Sequence, residues 1–475
     1  MATNTESRNA ASRRVPAAMR RDVRLLGEIL GQVIAESDGP DLLADVEDLR
    51  HRVIAARQGD ANAHAGTASA ADDDIAALVA GWPLARAEAV ARAFTVYFHL
   101  ANLAEEHQRI RTLRDRDTGA EPVRESLAAT MVTLRGRVGD DERAALLGRL
   151  EVHPVLTAHP TEARRRAVTE ALRRIGTQLD NLNDARLGAA ANAGAKRRLR
   201  EEIDLLWRTS ALRTQAMQPL DEVRSGTAIF DETLFRLAPS VYRSLDRALQ
   251  GESSGAAVPQ APAFLRFGSW IGADRDGNPF VTATVTEQAA RIQADHVLRA
   301  LENAATRIGR SLTIDAALLA ESAGDRGGTA LAELDAALAE LDAGLAVLAD
   351  AHPALLDELV SRSPGEPFRA FLLAVARRLE ATRRRLVGDH DSSGHDGDDS
   401  GALRGLAYGS AAEFIADLRL LQRALAEAGA DRQAYGELQH LIWQAETFGF
   451  HLAELEVRQH SAVHAAALRE LRVGQ

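Results

Sequence analysis

Apolar positions along this chain recur mostly at the spacing of one helix face. Leu26, Ile29, Leu30, Val33 and Ile34 fall at helical intervals and predict an amphipathic helix laid against a core. A second helix is marked by its start. Ser410 stands three residues before Glu413, the pattern of a capping box, and Phe414, Leu418, Leu421 and Leu425 then line one face. Four stretches rich in Gly, Ser, Asp, Ala or Pro predict surface loops: Gly59 to Asp74, Gly188 to Ala195, Gly251 to Ala263 and Gly388 to Gly401. The last of these carries His390 and His395 among aspartates. No periodic segment there would fix a coordination geometry, so a solvated loop is the expectation rather than a metal site. The chain shows no internal repeat.

Three short apolar runs interrupt the helical pattern: Val152 to Ala158, Phe264 to Ile271 and Phe448 to Val457. Each is bounded by turn signals and separated from the next by long helical stretches, which predicts buried parallel strands joined by helical crossovers. In such architectures ligands gather where strands end, at their carboxyl edges. The expected fold is therefore mainly α with a few parallel strands.

Composition narrows the chemistry. The 475 residues are 46% hydrophobic and 26% charged, a globular balance that excludes disorder throughout. Cysteine is absent, which removes disulfides, thiolate nucleophiles and thiolate metal sites and fits a reducing cytoplasm. No apolar stretch approaches the roughly 20 residues needed to span a bilayer, and the basic N-terminus has no apolar segment behind it, so neither membrane insertion nor export is expected. A net charge of -11 argues against nucleic acid as a partner. Lys196 is the only lysine, so any bound phosphate must be held by arginine, whose planar fork of donors suits phosphate and carboxylate oxygens.

Each predicted strand leads into residues able to do chemistry. The first ends in Thr157-Ala158-His159-Pro160-Thr161-Glu162, followed by Arg164, Arg165 and Arg166. An imidazole there could move protons near neutral pH beside anion-holding guanidinium groups, or it could simply satisfy a strand-end carbonyl. The second gives Trp270-Ile271-Gly272-Ala273-Asp274-Arg275-Asp276-Gly277-Asn278-Pro279, in which Asp274 and Asp276 flank Arg275 before a tight turn. Arg275 is expected to be locked by those carboxylates, either as an anion site or as a self-satisfied turn. The third ends in Arg458-Gln459-His460-Ser461, one further cation at a strand end.

Taken together, VLTAHPTE with Arg165 and Arg166, FGSWIGADRDGNPFVT and FGFHLAELEVRQHS resemble the signature blocks of the phosphoenolpyruvate carboxylase family. LLGEILGQVI near the start, Phe98 to Glu105 and Pro219 to Arg224 are similar to further family segments in the same order, so the likeness covers essentially the whole chain. It implies attack of bicarbonate on the phosphorus of phosphoenolpyruvate, giving carboxyphosphate and an enolate, then carboxylation to oxaloacetate with release of phosphate. That reaction is an anaplerotic carbon dioxide fixation feeding the tricarboxylic acid cycle. By position, His159 matches the family's essential histidine, Arg458 an arginine that holds the substrate phosphate, and Trp270 a residue of the pocket that shelters carbon dioxide. Arg275 matches a loop residue near the site. The resemblance also implies Mg²⁺ as cofactor, a cytoplasmic enzyme and a homo-oligomer, a tetramer, once the fold is complete.

Family members are about twice this length and place their metal carboxylates in the C-terminal half. The expected organisation is a helical region over 1–150, then over 151–475 the first three strands of a TIM-type α/β barrel with long helical insertions. On this reading the barrel is incomplete and the chain is a fragment whose open strands need a missing half. The other reading is a catalytically silent phosphate-binding or assembly fragment that needs a C-terminal partner.

Overall fold

The computed structural model describes residues 15–59, 70–119, 121–157, 166–210, 218–276, 278–326, 328–387 and 404–473. The fold is mainly helical, with one small parallel sheet, and it divides into two compact units that alternate along the sequence.

The first unit comprises Met1–Val123 and Glu162–Ala216. Its core is built from α1 (Ala17–Ser37), α2 (Leu84–Asp117), α3 (Arg166–Asn183) and α4 (Ala189–Arg208). The five apolar residues expected on one face of α1 are all buried, as the spacing requires. They pack with Val96 and Leu100 of α2, Ile175 of α3 and Leu199, Ile203 and Trp207 of α4. Trp207 keeps its N–H satisfied by donating to the Asp38 carboxylate at 2.7 Å, while Arg92 lies 5.3 Å over its ring. The loop expected over Gly188 to Ala195 is instead the first two turns of α4, with Ala195 buried. A run of alanines carries enough helix propensity to override the isolated Gly194. Of the loop expected over Gly59 to Asp74, residues 60–69 lie outside the described residues, and a helix, Ala70–Ala80, follows.

The second unit, Arg124–Thr161 with Met217–Gln475, holds the sheet. Its helices include α5 (Phe235–Gln250), α6 (Ala283–Ser311), α7 (Pro367–Val387), α8 (Ala411–Glu427), α9 (Glu437–Phe448) and α10 (Ser461–Val473). Ser410 caps α8 as expected, its Oγ accepting the Glu413 N–H, but the reciprocal bond of the capping box is displaced by one residue: the Glu413 carboxylate takes the Gly409 N–H at 2.9 Å rather than that of Ser410. Phe414, Leu418, Leu421 and Leu425 are all buried beneath it. The segment 251–263 is irregular, as expected, apart from the 3₁₀ turn Gly251–Ser253 and a turn closed by pairing of Ser254 with Ala257, whereas 388–401 lies outside the described residues.

The strands are β1 (Val155–Leu156), β2 (Gly268–Ser269) and β3 (Glu454–Leu455), parallel and in the order β1-β2-β3. The sheet does not close. Its strands are shorter than the apolar runs that announce them, and the third run begins inside a helix. Phe448 ends α9, Gly449 caps it at φ 50°, and Leu452 turns the chain at φ 66° into β3. Phe448, Leu452 and Ala453 of that run are buried, in the helix end and the turn, whereas Val457 is 50% exposed and β3 itself is not the buried strand expected.

Aromatic contacts fix the sheet to its helices. Phe267, just before β2, stacks on Phe448 with centroids 5.4 Å apart, and Phe230 and Phe235 also pack on Phe448. Tyr242 of α5 shares a 2.6 Å hydrogen bond with Thr447 of α9 and accepts the Leu265 N–H at 3.2 Å, so one hydroxyl ties two helices to the approach of β2. Pro239 sits inside α5 and lacks the N–H that would bond to the Phe235 carbonyl one turn back. Gln444 of α9 donates to that carbonyl instead, at 2.8 Å.

His440 on α9 is largely buried, and burial first, with Arg243 second, lowers its pKa below the ordinary histidine value. The unfolded chain therefore takes up a proton that the fold resists, so stability falls as pH drops from about 6.5 towards that lowered value. Denaturant midpoints measured across this window should fall more for the parent than for His440→Gln. Parallel acid limbs would refute the assignment.

Candidate functional site

The candidate site is built where β2 and β3 end. Beyond the strand pairs, the backbone ladder continues: Trp270 N–H donates to the Leu156 carbonyl at 2.8 Å, and Glu456 N–H to the Ser269 carbonyl at 3.0 Å. The chain then turns at Trp270, whose carbonyl accepts from Ala273 and Asp274, and re-pairs one step later. Arg275 N–H donates to the Arg458 carbonyl at 2.9 Å, and Arg458 N–H to the Ala273 carbonyl at 3.3 Å. Two distant segments are thus held in register at the level of Asp274 and Arg458.

That register stacks the side chains. Residues two apart on a strand share a face, so Gly268 and Trp270 lie beside Glu454 and Glu456. Trp270 Nε1 donates to Glu456 Oε2 at 2.7 Å. The Arg458 guanidinium lies 3.9 Å over the Trp270 ring, close enough for a cation–π contact, and its Nη1 is 3.3 Å from Asp274 Oδ2. Indole and carboxylate fix the guanidinium from two sides while 42% of the Arg458 side chain stays exposed, leaving donors open to a ligand. Gly268 makes room beneath: a Cβ there would come within 3.0 Å of Glu456 Oε1, His153 Nε2 and Val155.

The turn between them is tightly specified. Gly272 has φ 80°, and a Cβ at this position would lie 2.7 Å from that of Ala289 on α6 and 2.8 Å from Val223. Only glycine satisfies both the left-handed backbone and that contact. Asp274 Oδ1 accepts the Asp276 N–H at 3.1 Å, so the same carboxylate shapes the turn and faces Arg458.

Trp270 and Arg458 are brought together as a stacked pair, and Arg275 joins them through its backbone. Its side chain goes elsewhere. The expectation that Asp274 and Asp276 lock Arg275 is not met among the described residues: Arg275 Nη2 donates to Thr286 of α6 at 3.2 Å, and its buried Nε has no hydrogen-bond partner. Asp274 serves Arg458 instead, because the parallel pairing sets those two side by side. His159 lies outside the described residues, which end on this side at Thr157, directly after β1. Glu456, the anchor of the indole, was not singled out from sequence. The alternation of Glu454, Glu456 and Arg458 was the available signal.

Comparison with known proteins bears on what this strand-end cluster serves. The phosphoenolpyruvate carboxylase family model matches residues 19–474. This chain belongs to the phosphoenolpyruvate carboxylase family. Among curated relatives, the phosphoenolpyruvate carboxylase of Rhodopseudomonas palustris (strain HaA2) is 31% identical over 476 residues, covering 98% of this chain and 46% of that protein. That of Bradyrhizobium diazoefficiens is 33% identical, covering 96% and 45%, and that of Roseiflexus castenholzii 34%, covering 94% and 45%. The chain spans about half the length of the carboxylases it matches. Among the described residues no three or more histidine, aspartate or glutamate side chains group together as a metal site would require. No helix among them is long and apolar enough to cross a membrane.

Proposed function

We propose that this chain supplies one side of the active site of a phosphoenolpyruvate carboxylase, with Arg458 as the residue that holds the substrate phosphate. The observation that carries this reading is the guanidinium fixed by Trp270 and Asp274 at the end of β3 with its outer donors open. A charge held in place before binding loses little side-chain freedom when a dianion arrives. The half-buried Trp270 ring offers an apolar wall for carbon dioxide beside it. Arg275, with an unclaimed N–H, is the second cation of the loop.

In the proposed reaction a bicarbonate oxygen attacks phosphorus, the bond to the enol oxygen breaks, and the electron pair leaves as enolate. His159 takes the carboxyl proton of carboxyphosphate as the carbon–oxygen bond to phosphate breaks. The enolate carbon then adds to the carbon dioxide released. Mg²⁺, which stabilises enolate charge when bound, would be held by residues outside this sequence. The three strands are proposed to be part of a TIM-type barrel, and the completed enzyme to be a cytoplasmic homo-oligomer.

The test is binding of phosphoenolpyruvate to the chain and its Arg458→Gln variant, measured by calorimetry. Losing one charge-assisted hydrogen bond should weaken binding by about 1.5 to 3 kcal/mol. Unchanged affinity would remove Arg458 from the substrate site. A malate-dehydrogenase-coupled assay of the 475 residues with bicarbonate and Mg²⁺ should show no oxaloacetate, and turnover appears when the sequence is joined to the family's second half.

A further inference from the structure

A second cluster of cations lies away from the strand ends, on the outer faces of α5, α6 and α9. These helices, with Asp231 just before α5, enclose an open cleft of about 760 Å³. On α6, His296, Arg299, Asn303 and Arg307 follow one another at intervals of three or four residues and so face the cleft in a row. Arg236 enters from α5, and Glu437 and His440 from α9.

The charges in this cleft are arranged for exchange. Arg236 makes no ion pair among the described residues. Arg307 pairs with Glu437 at 3.0 Å and Arg299 with Asp295 at 2.5 Å, but both arginines are more than half exposed, and exposed pairs of this kind are worth little and readily change partner. His296 Nδ1 is 2.5 Å from Asp231 Oδ2, which orients the ring and leaves its other nitrogen for a ligand. His440 is already used: Arg243 Nε points to its Nε2 at 3.4 Å, and its Nδ1 is 3.4 Å from Glu437. Three arginines and one oriented histidine therefore face a cleft that contains two carboxylates, Asp231 and Glu437.

We propose that this cleft binds a dianionic phosphoryl group, as a site separate from the one at the end of β3. Arg236 and Arg307 are the main contacts, with His296 as a further donor or acceptor and Asn303 facing the rest of the ligand. This cleft stands apart from the carboxylase reading, because none of its residues belongs to the strand-end cluster.

The experiment is a titration of the chain with inorganic phosphate at about pH 7.5, followed by thermal unfolding against potassium chloride of matched ionic strength. A ligand that binds only the folded state raises the unfolding temperature with saturation. Phosphate should do so beyond chloride, and Arg236→Gln with Arg307→Gln should weaken the response at least about tenfold in phosphate concentration. In an Arg458→Gln background, which removes the phosphate contact proposed at the strand end, phosphate should still raise the unfolding temperature beyond chloride, and the cleft substitutions should remove that remaining shift. Equal shifts with phosphate and chloride overturn the proposal, as does a response lost in Arg458→Gln but kept in the cleft variants. Should the double variant unfold differently without phosphate, Arg236→Gln alone decides, since it breaks no ion pair among the described residues.

Discussion

With His159→Asn, in a carboxylase made by joining this sequence to the family's second half, oxaloacetate formation falls by a factor of roughly 10² to 10⁴, the usual cost of one positioned acid or base. Affinity for phosphoenolpyruvate changes little, because the proposed role of His159 begins only after phosphoryl transfer. Arg458→Gln differs in kind, since it weakens binding before any chemistry. Phosphate release and oxaloacetate formation, measured in parallel, separate the two. The histidine variant should still cleave substrate when bicarbonate is present and fail at the carbon–carbon bond. Normal oxaloacetate output in His159→Asn, or a binding loss equal to that of Arg458→Gln, would return His159 to the alternative of satisfying a strand-end carbonyl.

Phe448→Ala lowers stability by about 3 to 5 kcal/mol, the range for emptying a buried aromatic site. Phe448 is fully buried and touches Phe230, Phe235 and Phe267, so its ring joins the end of α9 to the start of α5 and the approach of β2. The cavity left by alanine would be walled by rigid rings that cannot collapse into it. Urea unfolding of the parent and variant measures the difference. Phe448→Leu, which refills much of the volume, should recover a large part of the loss. A shift below about 1 kcal/mol for the alanine variant would mean that this aromatic cluster does not hold the sheet.

The sequence by itself determined which faces are buried and which segments carry the chemistry. Leu26 to Ile34 and Phe414 to Leu425 are legible because helix burial repeats every three or four residues, and that period survives any tertiary arrangement. The three strand positions and their parallel direction were legible for a similar reason, since short apolar runs between long helices admit few other topologies. Tertiary structure decided what each polar group does. Asp274 adjoins Arg275 in sequence yet faces Arg458, because parallel pairing brings together residues 184 apart along the chain. Glu456 anchors Trp270 across the same pairing, and no local pattern specifies which strand lies alongside. Phe448 reads as part of a strand but ends a helix, because burial alone does not distinguish a short apolar strand from a helix terminus. The cation cleft was invisible in the same way: its residues are scattered from Asp231 to Gln444, and only the packing of α5, α6 and α9 makes them neighbours.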